Sequence, residues 1–256
     1  MSAVGLNHVE TSTGVKRLPR FDGVERVVHW TNATLFLILL FTGASLYFQP
    51  LSTFVAHRHT VKTIHVYCGL LLPFPLLIGL LIPWGRRLRN DLSRINRWTT
   101  DDRRWWSRRT RASAQVGKFN PGQKLNAVFV GASIVVMLMT GSIMRWFKPF
   151  PDSWRTGATF VHDWTFIALF AVIVGHIMFA LADPDSLRSM VRGWVPEAWA
   201  RREHPRWWAE VIAARADETE SSEAESSGGS TGDVEARGDE RLGETSVGAG
   251  EMPVGD

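Results

Sequence analysis

One apolar run, residues 160–182, constrains this chain more than any other feature: it is long enough to cross a bilayer, yet it carries His162 and His176. Read as a helix, the fourteen-residue step between them comes within about 40° of four whole turns. Both imidazoles therefore leave the same face, roughly 21 Å apart along the axis. Ring nitrogens are costly to bury without partners, and ionisable side chains in a membrane span usually face a bundle interior and serve a ligand or a pathway. Two readings follow. Each histidine is an ordinary polar contact between helices, or the two hold ligands stacked at two depths.

The rest of the chain bears on that choice. Two more histidines fall near the ends of apolar runs, His29 in Glu25-Arg-Val-Val-His29-Trp30 and His65 in Thr63-Ile-His65-Val-Tyr67. At 256 residues the length allows one or two domains, but the apolar residues clump into four long runs, which indicates a membrane protein. Polar stretches at both ends and in the middle hide this in the mean hydropathy of −0.05. Many of the 12 tryptophans flank the runs; Trp30, Trp84, Trp146, Trp164 and Trp194 fit an interfacial belt. The single cysteine, Cys68, excludes a disulfide within the chain, a Cys-x-x-Cys-His haem attachment and an iron–sulfur cluster held by this chain alone. It reads as a small core residue. No cleavable signal peptide is expected, because the first 26 residues are polar and the first apolar run is long enough to remain as an anchor. No periodic internal repeat is visible.

Taken in order, residues 1–20 read as a flexible N-terminal segment and residues 21–211 as a four-span domain. The spans are placed at about 27–48, 61–84, 124–144 and 160–182. Prolines 73, 75 and 83 predict a kink in the second. The loop at 85–123 is strongly basic: residues 85–120 hold ten arginines and one lysine against three aspartates. By the positive-inside rule that loop, the N-terminus and the arginine-bearing segment after span four are cytoplasmic, giving four spans with both termini inside. A grip on nucleic acid by Arg103-Arg-Trp-Trp-Ser-Arg-Arg109 is the competing reading. Beside two membrane spans, the same residues serve more simply as a topology signal and a contact for anionic lipid or a protein partner, so no nucleic acid is expected. Asp183-Pro-Asp185 ends the fourth helix, and residues 185–211 read as one or two short amphipathic surface helices. Residues 212–256 read as a disordered acidic tail: 217–256 carry a charge of −10 against +14 for 1–216.

Alternating span direction assigns depths to the histidines. His29 opens span one and His176 lies late in span four, so they share the cytoplasmic level; His65 and His162 share the outer one. Imidazoles on both faces of an iron give a six-coordinate haem suited to electron transfer. The fold expected is all-α, an integral membrane four-helix bundle with two non-covalently held haems between the helices, a C-terminal amphipathic surface helix and a disordered acidic tail.

With these features in place, residues 20–211 resemble the cytochrome b (gamma) subunit of membrane-bound formate dehydrogenases, within the wider di-haem family that includes the cytochromes of nickel–iron hydrogenases. The motifs carrying the resemblance are Glu25-Arg-x-x-His29-Trp30, Ile64-His-Val-Tyr-Cys-Gly69, Gly117-Lys-Phe-Asn-Pro-Gly-Gln-Lys124, the His162 and His176 pair, and His204-Pro-Arg-Trp207. The long acidic tail lies outside that pattern. The resemblance implies that the four histidines are the axial ligands of two b haems, paired as depth pairs them. It also implies a menaquinone or other quinone site at Asn120 and Gly122, with Gln123 and Lys124 alongside. An amide donor and a glycine suit a flat quinone, but Asn120-Pro-Gly-Gln-Lys124 also reads as a turn and helix start.

The implied partners are an iron–sulfur (beta) subunit and, through it, a molybdopterin catalytic (alpha) subunit where formate is oxidised. The competing functions are a cytochrome for hydrogenase or another quinone-linked oxidoreductase, and a four-helix transporter whose histidines bind a metal transiently.

Overall fold

A computed structural model describes residues 16–48, 50–51 and 57–240. Most of the N-terminal segment (1–15), part of the connection between the first two spans (49 and 52–56) and the end of the tail (241–256) lie outside the described residues. Four helical spans are long and apolar enough to cross a membrane: Gly23–Tyr47, Arg58–Leu81, Pro121–Arg145 and Asp152–Ala182. Their many outward Phe, Leu, Ile, Val and Met side chains are what a lipid-facing surface requires.

Helix α1 (Gly23–Tyr47) begins four residues before the sequence expectation because of its cap. Asp22 Oδ1 accepts from the Glu25 backbone N–H at 2.9 Å, and Glu25 Oε2 accepts from that of Asp22 at 2.7 Å. This reciprocal box satisfies two donors that a helix start otherwise leaves orphaned. The kink expected in the second span is a break. Helix α2 (Arg58–Leu71) stops before Leu72-Pro73, and α3 (Phe74–Leu81) resumes with Pro75 in its first turn, where its missing N–H costs nothing. Helix α6 (Pro121–Arg145) also starts on a capping box, and α7 (Asp152–Ala182) begins eight residues earlier than 160. Between spans two and three, the basic loop folds into α4 (Arg86–Asn96) and α5 (Thr100–Trp106). In the bundle α1 packs chiefly on α2, and α6 on α7.

At the arginine-rich end the structure departs from the sequence expectation. Residues 185–211 are not only surface helices: α8 (Pro184–Arg192) and α9 (Glu197–Glu203) flank a strand, β2 (Trp194–Pro196). This strand pairs antiparallel with β1 (Arg17–Pro19), which belongs to the segment expected to be flexible. Leu18 and Val195 are paired and fully buried, which supplies the apolar contact that holds so short a sheet. Gly193, at φ 86°, closes α8 and places its carbonyl to accept from the backbone N–H groups of Arg20 and Phe21. Only glycine takes that left-handed backbone cheaply. Helix α10 (Pro205–Glu240) likewise does not give way to an irregular tail near 211. The chain beyond Trp208 forms a separate unit, and its part up to Glu225 is rich in Ala, Glu and Arg, good helix formers that need no core.

Several charged residues are buried at this end of the chain's fold, each with a partner. Lys118 Nζ reaches Glu25 Oε1 at 3.4 Å and also bonds Asp91. Lys124 Nζ bonds both oxygens of Asp102, at 2.9 and 3.0 Å, and the Arg97 carbonyl at 2.7 Å. Burial alone would raise the Asp102 carboxyl; bonds from Lys124 and Thr99 more than reverse this and hold it below the ordinary carboxylate value. Arg20 Nη2 donates to the Lys118 carbonyl at 3.1 Å, and its guanidinium lies 4.8 Å from the centre of the Trp199 ring. Burial lowers Arg20 to about 10, against the pull of Asp183 and Asp91.

Breaking one of these ion pairs strands a charge away from water. Lys124→Ala is expected to destabilise the folded protein by about 3–5 kcal/mol, whereas joint replacement of Lys124 and Asp102 by apolar residues should cost much less. Denaturation of the detergent-solubilised variants measures both; equal losses would mean that the pair is not what holds α5 to α6.

His204 gives a second test. It is buried, its Nδ1 lies 2.6 Å from the Gly117 carbonyl, and its pKa is lowered to about 3, first by burial and then by Arg20, against the bond to Gly117. An unfolded histidine titrates near 6.5, about the ordinary value. Between those values the unfolded chain binds the extra proton, so stability is fully present above about pH 6.5 and declines as the pH falls toward 3. Thermal midpoints should drop from pH 7 to pH 4, with a shallower slope in His204→Gln; parallel slopes would assign the acid sensitivity to other groups.

Candidate functional site

The four histidines come together in two pairs. Helix α7 contributes one member to each, so the face shared by His162 and His176 looks into the bundle. His176 meets His29 of α1, with ring centres 6.3 Å apart and planes at 59°. His162 meets His65 of α2, again at 6.3 Å, with planes at 67°. A direct N–H···N bond of about 2.9–3.0 Å would bring the ring centres to about 5 Å. One metal atom between the rings, bonded to each at about 2.0–2.1 Å, would hold the centres at about 6 Å. The observed spacing leaves room for one metal atom between the rings of each pair.

The donor set points the same way. Among the described residues, no three of His, Cys, Asp and Glu gather as a metal cluster. Each histidine pair offers only two opposed nitrogens, which suits a metal whose remaining positions are filled by a macrocycle. Around His65 and His162 lies a cavity of about 590 Å³, lined by Phe36, Leu39, Leu138 and Phe166 among other apolar groups, and by the cations Arg58, Lys62 and Arg145. That volume falls in the range of cofactor pockets, about 300–1,000 Å³.

Two glycines open the cavity where the rings stand. A Cβ on Gly43 would sit 3.4 Å from His65 Cε1, and one on Gly141 would sit 3.5 Å from His162 Cε1. Larger side chains there would crowd the imidazoles. The residue before each glycine bonds the same ring: Thr42 Oγ1 lies 2.9 Å from His65 Nδ1, and Thr140 Oγ1 lies 2.9 Å from His162 Nδ1.

Reasoning from the sequence gave Thr42, Gly43, Thr140 and Gly141 no role at this site. The repeated Thr-Gly, once in span one and once in span three, was the available signal.

The segment 120–124 is placed differently from the histidines. Asn120 is the N-cap of α6: its Oδ1 accepts from the Gln123 backbone N–H at 2.9 Å, and Gln123 Oε1 accepts from that of Asn120 at 3.0 Å. Gly122 faces an indole, since a Cβ there would lie 3.5 Å from Trp105 Cη2. Lys124 is 3% exposed and bonds Asp102 and the Arg97 carbonyl, which ties the loop to the start of α6. The helix-start reading of this motif thus describes its geometry, with the Asn120 amide nitrogen not needed for the cap. The neighbouring Lys118 reaches Glu25, one turn before His29 on α1, which sets the motif at the His29/His176 end of the bundle.

The chain is similar over most of its length to proteins of known kind. It is 28% identical over 211 residues to the cytochrome b556 subunit of formate dehydrogenase from Haemophilus influenzae, covering 79% of this chain and 87% of that protein. It is 28% identical over 206 residues to the cytochrome b556(fdo) subunit of formate dehydrogenase from Escherichia coli K12 (75% and 92%). It is 27% identical over 211 residues to the nitrate-inducible b556(Fdn) subunit from the same strain (78% and 94%). The family model described as prokaryotic cytochrome b561 matches residues 20–193, from the buried Arg20 to the glycine that closes α8. With four membrane-spanning helices and paired imidazoles inside them, the chain belongs to the prokaryotic cytochrome b561 family, multi-pass membrane proteins that bind haem b.

Proposed function

We propose that the chain is the membrane cytochrome b subunit of a formate dehydrogenase complex, carrying electrons through two b haems to menaquinone or another quinone. The observation that carries this reading is the pair of equal 6.3 Å ring spacings at two levels of one bundle. The names of the similar proteins favour formate over hydrogen as the source of electrons. Oxidation of formate then belongs to a molybdopterin subunit that delivers electrons through an iron–sulfur subunit. The basic loop and the arginines after span four argue for both termini in the cytoplasm. The electrons enter at the opposite, outer end, near His65 and His162.

Haem supplies a one-electron ferric/ferrous couple when bound. The chain supplies the rest. His29 with His176, and His65 with His162, would hold the two haem irons through their imidazoles. The apolar cavity walls would exclude water, and Arg58, Lys62 and Arg145 would offer charge to the carboxylates of a porphyrin held there. At the cytoplasmic end Asn120 donates its amide N–H to a quinone carbonyl, and Gly122 beside Trp105 allows a flat ring to approach. Gln123 holds Asn120 through the cap, and Lys124 holds the loop through Asp102.

Haem counting tests the pairing. His29→Ala and His176→Ala should remove one and the same haem, and His65→Ala and His162→Ala the other, as read from reduced-minus-oxidised spectra of purified protein. Loss of different haems within a pair would refute the assignment.

For the quinone site, Asn120→Asp keeps a good N-cap but loses the amide donor. Reoxidation of the haems by a menaquinone analogue should slow by several-fold, the worth of one hydrogen bond of about 0.5–1.5 kcal/mol, at normal haem content. An unaltered rate would make the segment a helix start alone.

A further inference from the structure

The two histidine pairs differ in what stands behind the rings. Thr42 Oγ1 lies 2.7 Å from the Ile38 carbonyl and Thr140 Oγ1 lies 2.8 Å from the Val136 carbonyl, each one turn back along its own helix. A hydroxyl has one proton, and here it is given to the backbone. Toward the imidazole each oxygen is left to accept, so the proton between them belongs to Nδ1 of His65 and of His162. Nε2 of both rings is then the bare nitrogen facing the cavity. Threonine hydroxyls in apolar helices commonly bond their own backbone. Backbone bonding alone does not explain why two such hydroxyls, on different helices, meet the two rings of one pair at the same 2.9 Å, each followed by a glycine that makes room. Among the described residues, no hydrogen bond is made by the ring of His29 or His176.

We propose that Thr42 and Thr140 are positioning residues that fix both axial imidazoles of the His65/His162 pair in the Nδ1–H form and make the haem there harder to reduce than the one between His29 and His176. An acceptor on Nδ1–H makes the imidazole a more basic ligand, and a more basic ligand favours ferric over ferrous iron. The unassisted pair has no such bias. The difference gives the wire a downhill order, from the threonine-backed site to the other. This inference rests on the two-haem reading above.

The test is a redox titration of purified holoprotein, following each haem by its absorption. Thr42→Val and Thr140→Val should each raise the midpoint of the His65/His162 haem by on the order of a tenfold change in the ferrous to ferric ratio at fixed potential, about 59 mV for one electron. The other haem should not move, and Thr→Ser at either position should restore the original value. Valine variants that keep both haems with unchanged midpoints overturn the proposal, as do serine variants that behave like valine. If valine costs the haem altogether, its retention at the original midpoint in the serine variants supports the proposal, and its loss there too overturns it. A native protein with no haem sensitive to His65→Ala would refute the functional reading itself, whereas unmoved midpoints in haem-replete threonine variants refute this inference alone.

Discussion

The structure depends on one problem: four imidazoles stand inside a bundle whose surroundings are largely apolar, and each needs a partner for its nitrogens. Helix α7 meets it twice. Because fourteen residues nearly complete four turns, one helix face can serve two sites, provided that a different neighbour answers at each level. Helix α1 answers with His29 and α2 with His65. Gly43 and Gly141 then follow as consequences, since rings facing each other across 6.3 Å need room at their flanks.

The arginine-rich end is built on a second problem, the burial of charge. Residues 16–25, 91–124 and 183–207 are distant along the chain, and ion pairs, an indole-stacked arginine and a two-stranded sheet join them. Such networks add less net stability than their contacts suggest, because each ion must first leave water. They do specify where each segment goes. Glu25 caps α1 and pairs with Lys118, so the helix carrying His29 and the segment leading to Asn120 share one fixed point. That shared point places the proposed quinone contacts beside one histidine pair.

The spans, their number and the pairing of histidines were legible in the sequence, because apolar periodicity and alternating direction are local signals with simple geometry. Helix starts were legible in principle: Asp22 with Glu25 and Asn120 with Gln123 are capping boxes three residues apart, and they moved α1 and fixed α6. The sheet was not, since three-residue strands separated by more than 170 residues carry no periodicity. Nor were the pairs Lys118–Asp91 and Lys124–Asp102, since basic residues in a basic loop read as solvated until the fold shows what covers them. Thr42 and Thr140 were hidden for the opposite reason: a threonine in an apolar helix can satisfy itself.

The sharing of α7 also has a consequence for the birth of the molecule. Chains emerge N-terminus first, and α1 and α2, which pack on each other, are made long before the last span. Yet His29 and His65 each face a partner on α7, so neither histidine pair exists until the fourth span has been synthesised and docked. On the proposed two-haem reading, the prosthetic groups would be captured late, by a nearly complete bundle. Until then, His29 and His65 are each half of an unfinished clasp.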